Sequence, residues 1–392
     1  MIQEPRAVPG LALRSKLPNV GTTIFTVMSQ LATQVGAVNL GQGFPDFPVP
    51  EFLADAVTRA MREGHNQYAP MPGLLALREA IADKTHACYG VAPSPDAEIT
   101  VTSGGSEAIF DAVLSVIGRG DEVIVLDPCY DLYEPAIALS GGTCVHVPLD
   151  PHDFTVDWDR LRAAVTPRTR MIMINSPHNP TGAIWSAEDV AHLAALTRDT
   201  EILVLSDEVY EHIVYDGRRH ESVLRNAELA ARSFVISSFG KSFHCTGWRM
   251  GYCIAPGALT AEFRKVHQYN TFSSVAPMQR AFAEMLRAVP GHTEGLGAFY
   301  QAKRDHFAAQ LSRTRLKALP VPGGYFQLVD YSAISDLPDE AFARWLCTER
   351  LVAAIPLSPF YGSPPRGQRL VRLCFAKHQA TLDAAIARLE HA

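Results

Sequence analysis

The sequence predicts an α/β fold that combines a large domain, built on a mostly parallel sheet, with a smaller α+β domain. The chain has 392 residues, more than a single hydrophobic core usually fills. Between about residues 73 and 290, short β-branched runs alternate with amphipathic helical patterns, which is typical of a buried parallel sheet covered by helices. Beyond residue 290 the strands are fewer and have hairpin-like spacing. We therefore expect residues 46–290 to form the large domain, and residues 1–45 with 291–392 to form the smaller one.

The individual elements follow from local patterns of apolar residues. In the large domain we expect the helices LLALREAIADKTHACYG, EAIFDAVLSVIG and SAEDVAHLAALTRD, and the strands EITVT, DEVIVL, GTCVHVPL, RMIMIN, EILVLSD and SFVISS. In the smaller domain a long helix from Gly291 to Ser312 precedes the strands RLKAL, GGYFQLVD, LVAAIP and QRLVRLCF and the helices DEAFARWLCTER and ATLDAAIARLEHA. The first 45 residues, rich in Gly and Pro, should pack beside this domain.

Composition excludes several classes of function. Hydrophobic residues make up 47% of the chain and charged residues 19%, as in an ordinary globular protein rather than a disordered or fibrous one. The formal net charge is −6, and no block of like charges occurs. A nucleic-acid or membrane-surface partner is therefore disfavoured, and a small-molecule partner is favoured.

Cysteine and histidine positions predict neither disulfides nor a metal site. The seven cysteines are scattered, and none forms a C-x-x-C pair. Five histidines lack metal-ligand spacing, and we interpret them as structural or solvent-facing: His65, His178, His220, His244 and His267. The N-terminus lacks the apolar stretch of a signal peptide, and no apolar run is long enough to span a membrane, so we expect a cytoplasmic protein.

Lys241 is the main candidate catalytic residue. It follows a β-run in SSFGKSFHCTGWRMGY, where Gly240 permits a close backbone approach. A lysine that forms an imine needs a lowered pKa, and the cation Arg249 in the same motif can lower it. Asp207 ends the strand EILVLSD, at the sheet edge that opens onto a ligand crevice; there it can pair with a pyridinium nitrogen or cap a helix.

Further polar residues suit a phosphorylated cofactor and a carboxylate substrate. The turn SGGSEA, with Gly104 to Ser106, can offer backbone N–H groups to a phosphate, although it lacks the P-loop pattern. Asn179 in SPHNPTG would present its amide to the same crevice. Arg372, on a strand, can bind a carboxylate through two hydrogen bonds or pair with an acid at a sheet edge. Tyr130 can stack on a planar ring or simply pack.

A series of motifs extends this pattern along the chain: NLGQGFPDFPVP, NQYAPMPGLLALREAI, ITVTSGGSEAIF, DEVIVLDPCYDLYEPAI, NSPHNPTG, SDEVYEHIVYDG, SSFGKSFHCTGWRMGYC, KVHQYNTFSS, PGGYFQLVDYS, AAIPLSPFYG and RLCFAK. In content and order they resemble the class I (fold type I) aminotransferases that depend on pyridoxal 5'-phosphate (PLP). Within that family the chain is most similar to the bacterial methionine aminotransferases, which are relatives of the kynurenine and glutamine–phenylpyruvate aminotransferases.

The resemblance implies a role for each matching residue. Lys241 becomes the lysine that binds PLP as an imine and carries a proton, and Asp207 the partner of the pyridine nitrogen. Asn179 and Tyr210 would contact the phenolic oxygen, and Tyr130 would stack on the ring. The remaining cofactor contacts, mostly to the phosphate, would come from Gly105, Ser106, Glu107, Ser238, Arg249 and, from a second subunit, Tyr68. Arg372 and Asn179 would hold the substrate carboxylate beneath the Gly43 backbone.

The same resemblance implies a homodimer that moves the amino group of methionine, or of an aromatic or large apolar L-amino acid, to a 2-oxo acid with ping-pong kinetics. Candidate walls for the side chain are Gly21 to Phe25, Phe272, Phe360 and Tyr361. Kynurenine or glutamine–phenylpyruvate transamination and cysteine-conjugate β-elimination remain alternatives on this scaffold. A nicotinamide-dependent dehydrogenase would need a glycine fingerprint that is missing, and a non-catalytic binding protein would leave Lys241, Asp207 and Arg372 unexplained.

Overall fold

The computed structural model describes residues 14–390. Its strands, numbered along the chain, are β1 (Val38–Asn39), β2 (Ile99–Thr102), β3 (Glu122–Asp127), β4 (Thr143–Pro148), β5 (Thr169–Asn175), β6 (Leu203–Asp207), β7 (Ser233–Ser238), β8 (Gly251–Ile254), β9 (Lys317–Ala318), β10 (Phe326–Asp330), β11 (Val352–Ala353), β12 (Ile355–Pro356) and β13 (Leu370–Cys374). The strand segments predicted from apolar and β-branched runs all contain a strand.

The helices are α1 (Ile24–Val35), α2 (Glu51–Arg62), α3 (Leu75–Tyr89), α4 (Gly105–Val116), α5 (Tyr133–Ser140), α6 (Trp158–Ala164), α7 (Ala187–Thr197), α8 (Ala227–Ala230), α9 (Phe239–Ser242), α10 (Gly257–Asn270), α11 (Ala276–Ala288), α12 (Gly291–Leu311), α13 (Asp339–Glu349) and α14 (Gln379–Leu389). None of these described helices combines the length and apolar character needed to cross a membrane.

A seven-stranded sheet forms the centre of the larger part of the molecule. Its strand order is β2-β8-β7-β6-β5-β3-β4, and β8 alone runs in the opposite direction to the other six strands. The prediction of a mostly parallel sheet is therefore confirmed, while β8 itself was not anticipated. Within the sheet Asn175 pairs in register with Asp207, which brings the carboxyl ends of β5 and β6 to one edge. This is the edge where parallel sheets bind ligands.

The smaller sheet is antiparallel, with the order β12-β13-β10-β9. Because β13 lies between β10 and β12, Arg372 occupies a central strand and not a sheet edge. The predicted single strand LVAAIP is divided, since β11 pairs with β1 and β12 pairs with β13.

The described part of the N-terminal segment, from residue 14 onward, packs against these C-terminal strands, as expected, whereas residues 1–13 lie outside the described residues. Leu40 donates its N–H to Ala353 O at 3.1 Å and accepts from the N–H of Cys374 at 2.7 Å. The N-terminal segment also contains α1, which sequence patterns did not reveal. The Thr23 side chain caps the start of this helix, and Gly36, with a φ of 67°, ends it. The domain limits at residues 46 and 290 stay a prediction.

Candidate active site

Two adjoining cavities, of about 600 and 130 Å³, lie where the ends of β5, β6 and β7 meet the start of α4 and the strand β13. Residues that line them include most of those singled out from the sequence: Gly43, Gly105, Ser106, Tyr130, Asn179, Asp207, Tyr210, Ser238, Lys241, Arg249 and Arg372. The fold thus brings together residues that lie as far apart along the chain as Gly43 and Arg372.

Lys241 projects into this space from the short helix α9, directly after β7. The approach of the backbone is close, because a Cβ atom at Gly240 would come within 3.0 Å of Thr246 Cα. Lys241 Nζ lies 5.6 Å from the ring centre of Tyr210 and 5.9 Å from that of Tyr325, and no residue of the described chain hydrogen-bonds or ion-pairs with it. Burial and the nearby Arg249 cation lower the pKa of Lys241 to about 8. A substantial fraction of the amine is therefore neutral and nucleophilic near pH 8.

Asp207 is buried at the end of β6 and is held by neighbours on both sides. Tyr133 donates its hydroxyl to Asp207 Oδ2 at 2.8 Å, and the N–H of Val209 donates to Oδ1 at 3.3 Å. Burial raises the pKa of Asp207 to about 6, and the hydrogen bond from Tyr133 opposes that rise. The side chain is therefore mainly a carboxylate at pH 7 and can pair with a buried cation.

One end of the cavity is built to receive an anion. Helix α4 begins there after Gly104, whose φ of 85° suits glycine and whose lack of a side chain leaves room for the Arg249 guanidinium. Arg249 Nη2 donates to Ser106 Oγ at 3.2 Å, and Nη1 donates to Thr246 O at 3.1 Å. The free N–H groups of the first helical turn and the guanidinium point to the same region, an arrangement that stabilises phosphate.

The opposite end contains Arg372, which is 1% exposed. Its Nη1 donates to Asn179 Oδ1 at 2.6 Å and its Nη2 to Gly41 O at 3.0 Å, and the Phe326 ring lies 4.0 Å below the guanidinium. Its Nε finds no acceptor, and no carboxylate pairs with it, among the described residues. A buried cation without an anion is costly, so this end is suited to the carboxylate of a substrate.

Two of the predicted residues do not reach the cavity of this chain. The Glu107 carboxylate turns away from it and binds His267 Nδ1 at 2.6 Å and the N–H of Ser103, beneath the turn that starts α4. Tyr68 is 85% exposed and contacts the edge of Phe272, with 5.6 Å between ring centres. Glu107 therefore supports the turn from below, whereas Tyr68 is free to reach another molecule.

Sequence patterns missed several residues of the site. Tyr133, in the motif DPCYDLYEP, touches the Asp207 carboxylate, and the Asn175 amide at the end of RMIMIN donates to Asp207 O at 2.7 Å. Tyr325 donates its hydroxyl to Gly43 O at 2.9 Å and so holds the backbone over the cavity. A polar residue at the carboxyl end of a parallel strand is a signal that could have identified Asn175.

Comparison with known proteins assigns the family. A family model for aminotransferase class I and II matches residues 35–389. The chain belongs to this family. A methionine aminotransferase of Escherichia coli is 51% identical to this aminotransferase over 96% of the chain and 97% of its own length. Kynurenine–oxoglutarate transaminase 3 of Rattus norvegicus is 33% identical, over 96% of this chain and 90% of its own length.

Solved structures agree with the fold of this aminotransferase. A crystal structure from Escherichia coli, described as having a methionine aminotransferase function, superposes with a TM-score of 0.95 at 51% identity and covers 97% of this chain and 100% of that one. N-Succinyldiaminopimelate aminotransferase from Mycobacterium tuberculosis gives a TM-score of 0.94 at 41% identity, with coverage of 97% and 100%. The predicted fold class and family are thus confirmed.

Proposed function

We propose that this aminotransferase uses PLP to move the amino group of methionine, or of another large apolar or aromatic L-amino acid, to a 2-oxo acid. The observation that carries the proposal is the amine of Lys241, which has no partner among the described residues and lines both adjoining cavities, one with the Asp207 carboxylate and one with the Arg372 guanidinium, while the Arg249 guanidinium lines both. The 51% identity to a methionine aminotransferase supports the choice of donor.

The chemistry of the donor set fits PLP. Lys241 would hold the cofactor covalently, and Asp207 would accept a hydrogen bond from its protonated ring nitrogen. The phosphate fits the N–H groups at Gly105 and Ser106, together with Arg249 and Ser238. Asn179 and Tyr210 line the cavity where the phenolic oxygen would lie, and the Tyr130 ring lines the wall on which the pyridine ring would stack. When bound, PLP supplies an electron sink for the carbon that loses a proton.

The chain's own contribution is to bind, orient and transfer a proton. Arg372 and Asn179 would fix the substrate carboxylate, which sets the Cα–H bond within reach of Lys241. As a neutral amine, Lys241 Nζ then accepts the proton from Cα and later returns one, which is general base and general acid catalysis by a single group. Asp207 remains ionised during this exchange because its hydrogen bond from Tyr133 favours the carboxylate.

Apolar residues near Arg372 support a large apolar side chain on the substrate. Phe25 lies with its ring centre 5.1 Å from the guanidinium carbon of Arg372 and packs edge-on against Phe360 at 5.7 Å. Val20 and Phe44 line the same cavity, and Tyr361 lines a neighbouring one of about 460 Å³. Phe272 is away from this wall and lies beside Tyr68.

We also propose a homodimer in which Tyr68 completes the phosphate site of a second copy. An exposed apolar patch supports it, in which Tyr68 and Tyr269 are each 85% exposed and Phe272 and Val275 lie close to them in sequence or space. Sedimentation should give a dimer, and an active monomer would contradict this assembly.

The seven cysteines are all free thiols, which suits the reducing cytoplasm as the location.

A panel of amino donors, each with the same 2-oxo acid, tests the function. Methionine and phenylalanine should exceed alanine in kcat/KM by about 10- to 100-fold, because each buried CH₂ contributes about 0.8 kcal/mol. Alanine serves as the control for the shared carboxylate and amine contacts. A preference for aspartate or glutamate would overturn the proposed donor class. Elimination from a β-substituted cysteine that outpaces transamination by orders of magnitude would instead establish a lyase.

A further inference from the structure

A second cluster of reactive side chains lies at the carboxyl end of β3, outside the Lys241 cavity. Asp127 ends β3, His146 lies on the adjacent strand β4, and Cys129 follows Asp127 by two residues. His146 Nδ1 is 2.9 Å from Asp127 Oδ1, and one donor atom from each of the three residues lies within 4.8 Å of the others. The register of the parallel strands, with Val125 opposite His146, creates this proximity.

The surrounding backbone fixes the orientation of the cluster. The N–H of Gly362 donates to Asp127 Oδ2 at 2.8 Å, which leaves Oδ1 directed at the imidazole. Gly362 also fits flat against that ring, because a Cβ atom at this position would lie 2.7 Å from His146 Cγ. The N–H of Cys129 donates to Phe360 O at 2.7 Å. Residues 360–362 thus contact the Asp127 carboxylate, the His146 ring and the backbone of Cys129, much as outer contacts orient metal ligands.

The cluster also has access to space and a suitable charge. Cys129 and His146 line the cavity of about 460 Å³ mentioned above, and Glu134 Oε2 lies 3.9 Å from His146 Nε2 at its rim. One imidazole nitrogen, one thiolate and one carboxylate are the three ligand types that zinc takes. Once the thiol is deprotonated, the thiolate and the carboxylate each carry one negative charge, and together they balance a divalent cation.

We propose that Asp127, Cys129 and His146 form a binding site for a thiophilic divalent cation of the zinc and cadmium class. The cation replaces the proton shared by Asp127 and His146, displaces the thiol proton of Cys129, and keeps a fourth position open toward the cavity. Sequence spacing gave no sign of this site because the ligands come from the end of β3, the segment that follows it and the neighbouring strand β4, which meet only through sheet register. The proposal does not depend on the aminotransferase reaction.

Cadmium is the probe for the test, because a cadmium–thiolate bond adds ultraviolet absorption that oxygen and nitrogen ligands do not. Titration of the holoenzyme with Cd²⁺ should raise this absorption to saturation at a single ion per chain, and Zn²⁺ should compete it away. Cys129→Ser should abolish the absorption. His146→Gln, at a partly exposed position, should weaken Cd²⁺ binding by at least about 10-fold while keeping the absorption at high Cd²⁺.

Matched variants separate this site from other thiols. Cys88→Ser removes a half-buried thiol on α3 and should leave the titration unchanged. Cys144 lies two residues before His146 on β4 and is the nearest competing thiol along that strand. Absorption that survives Cys129→Ser and disappears in Cys144→Ser would overturn the assignment, as would equal binding by His146→Gln and the wild type. The circular dichroism spectrum and the thermal unfolding midpoint of each variant are compared with those of the wild type, to establish that the variant is folded.

Discussion

Two lysines reach the same sheet from different helices, and their surroundings are opposite. Lys84, on α3, donates to Glu211 Oε2 at 2.6 Å and to the Tyr252 hydroxyl at 2.8 Å. Lys241, on α9, has no such partner among residues 14–390, and its nearest cation is Arg249. Although burial alone would lower it, the Glu211 carboxylate raises the pKa of Lys84 well above its ordinary value. The pKa of Lys241 instead falls to about 8.

The difference separates a structural lysine from a chemical one. The Glu211 carboxylate is further satisfied by the hydroxyls of Tyr89 and Ser237, so the Lys84 pair is a closed network that holds both groups charged. Lys241 is left with a free amine in a cavity, at a cost to the fold that a bound ligand can relieve. Burial alone does not distinguish the two, because both amines lie away from water and only their charged neighbours differ.

Removing the Lys241 amine should give the largest effect. Lys241→Met should lower kcat by about 10⁴-fold or more, since covalent attachment and proton transfer are both lost. It should also abolish the visible absorption of the lysine-bound cofactor. The stability of the cofactor-free protein should change little or rise, because an unpaired buried amine is replaced by an apolar side chain of similar length. A variant that retains turnover would contradict the role proposed for Lys241.

Removing the Lys84 amine should give the reverse pattern. Lys84→Met leaves the buried Glu211 carboxylate without its cation, which should cost about 3–5 kcal/mol in the free energy of unfolding. The midpoint of urea unfolding of the cofactor-free protein measures this loss, with Lys241→Met as the control. Lys84→Met combined with Glu211→Leu should recover part of the lost stability. If the double variant were no more stable than the single one, the pair would not be the cause.

The surroundings of the two lysines show which parts of the fold and of the site the sequence predicts and which it does not. The strand ending in Asp207 was predictable because its apolar, β-branched run alternates with amphipathic helices, and Lys241 was predictable from its motif. Tyr133, which bonds to Asp207, and the inward turn of Glu107 toward His267 were not, because those contacts join separate elements. The antiparallel strand β8 was missed for a similar reason, since strand direction depends on the connections around it and not on the local pattern.

The final comparison is one of titration, with a smaller expected effect. In the cofactor-free protein, acetylation of Lys241 should be half-maximal near pH 8, against about 10.4 for an ordinary exposed lysine, and Lys84 should stay unmodified at both values. Digestion and mass spectrometry measure each site separately.

The pKa of Lys241 is lower in the folded chain than in the unfolded chain, so the unfolded chain holds more protons between pH 8 and 10.5. The free energy of unfolding of the wild type should therefore rise with pH across that window, relative to that of Lys241→Met. Arg249→Gln should move the acetylation midpoint upward, because it removes the cation that disfavours the ammonium. A midpoint that did not move would mean that burial alone lowers the pKa.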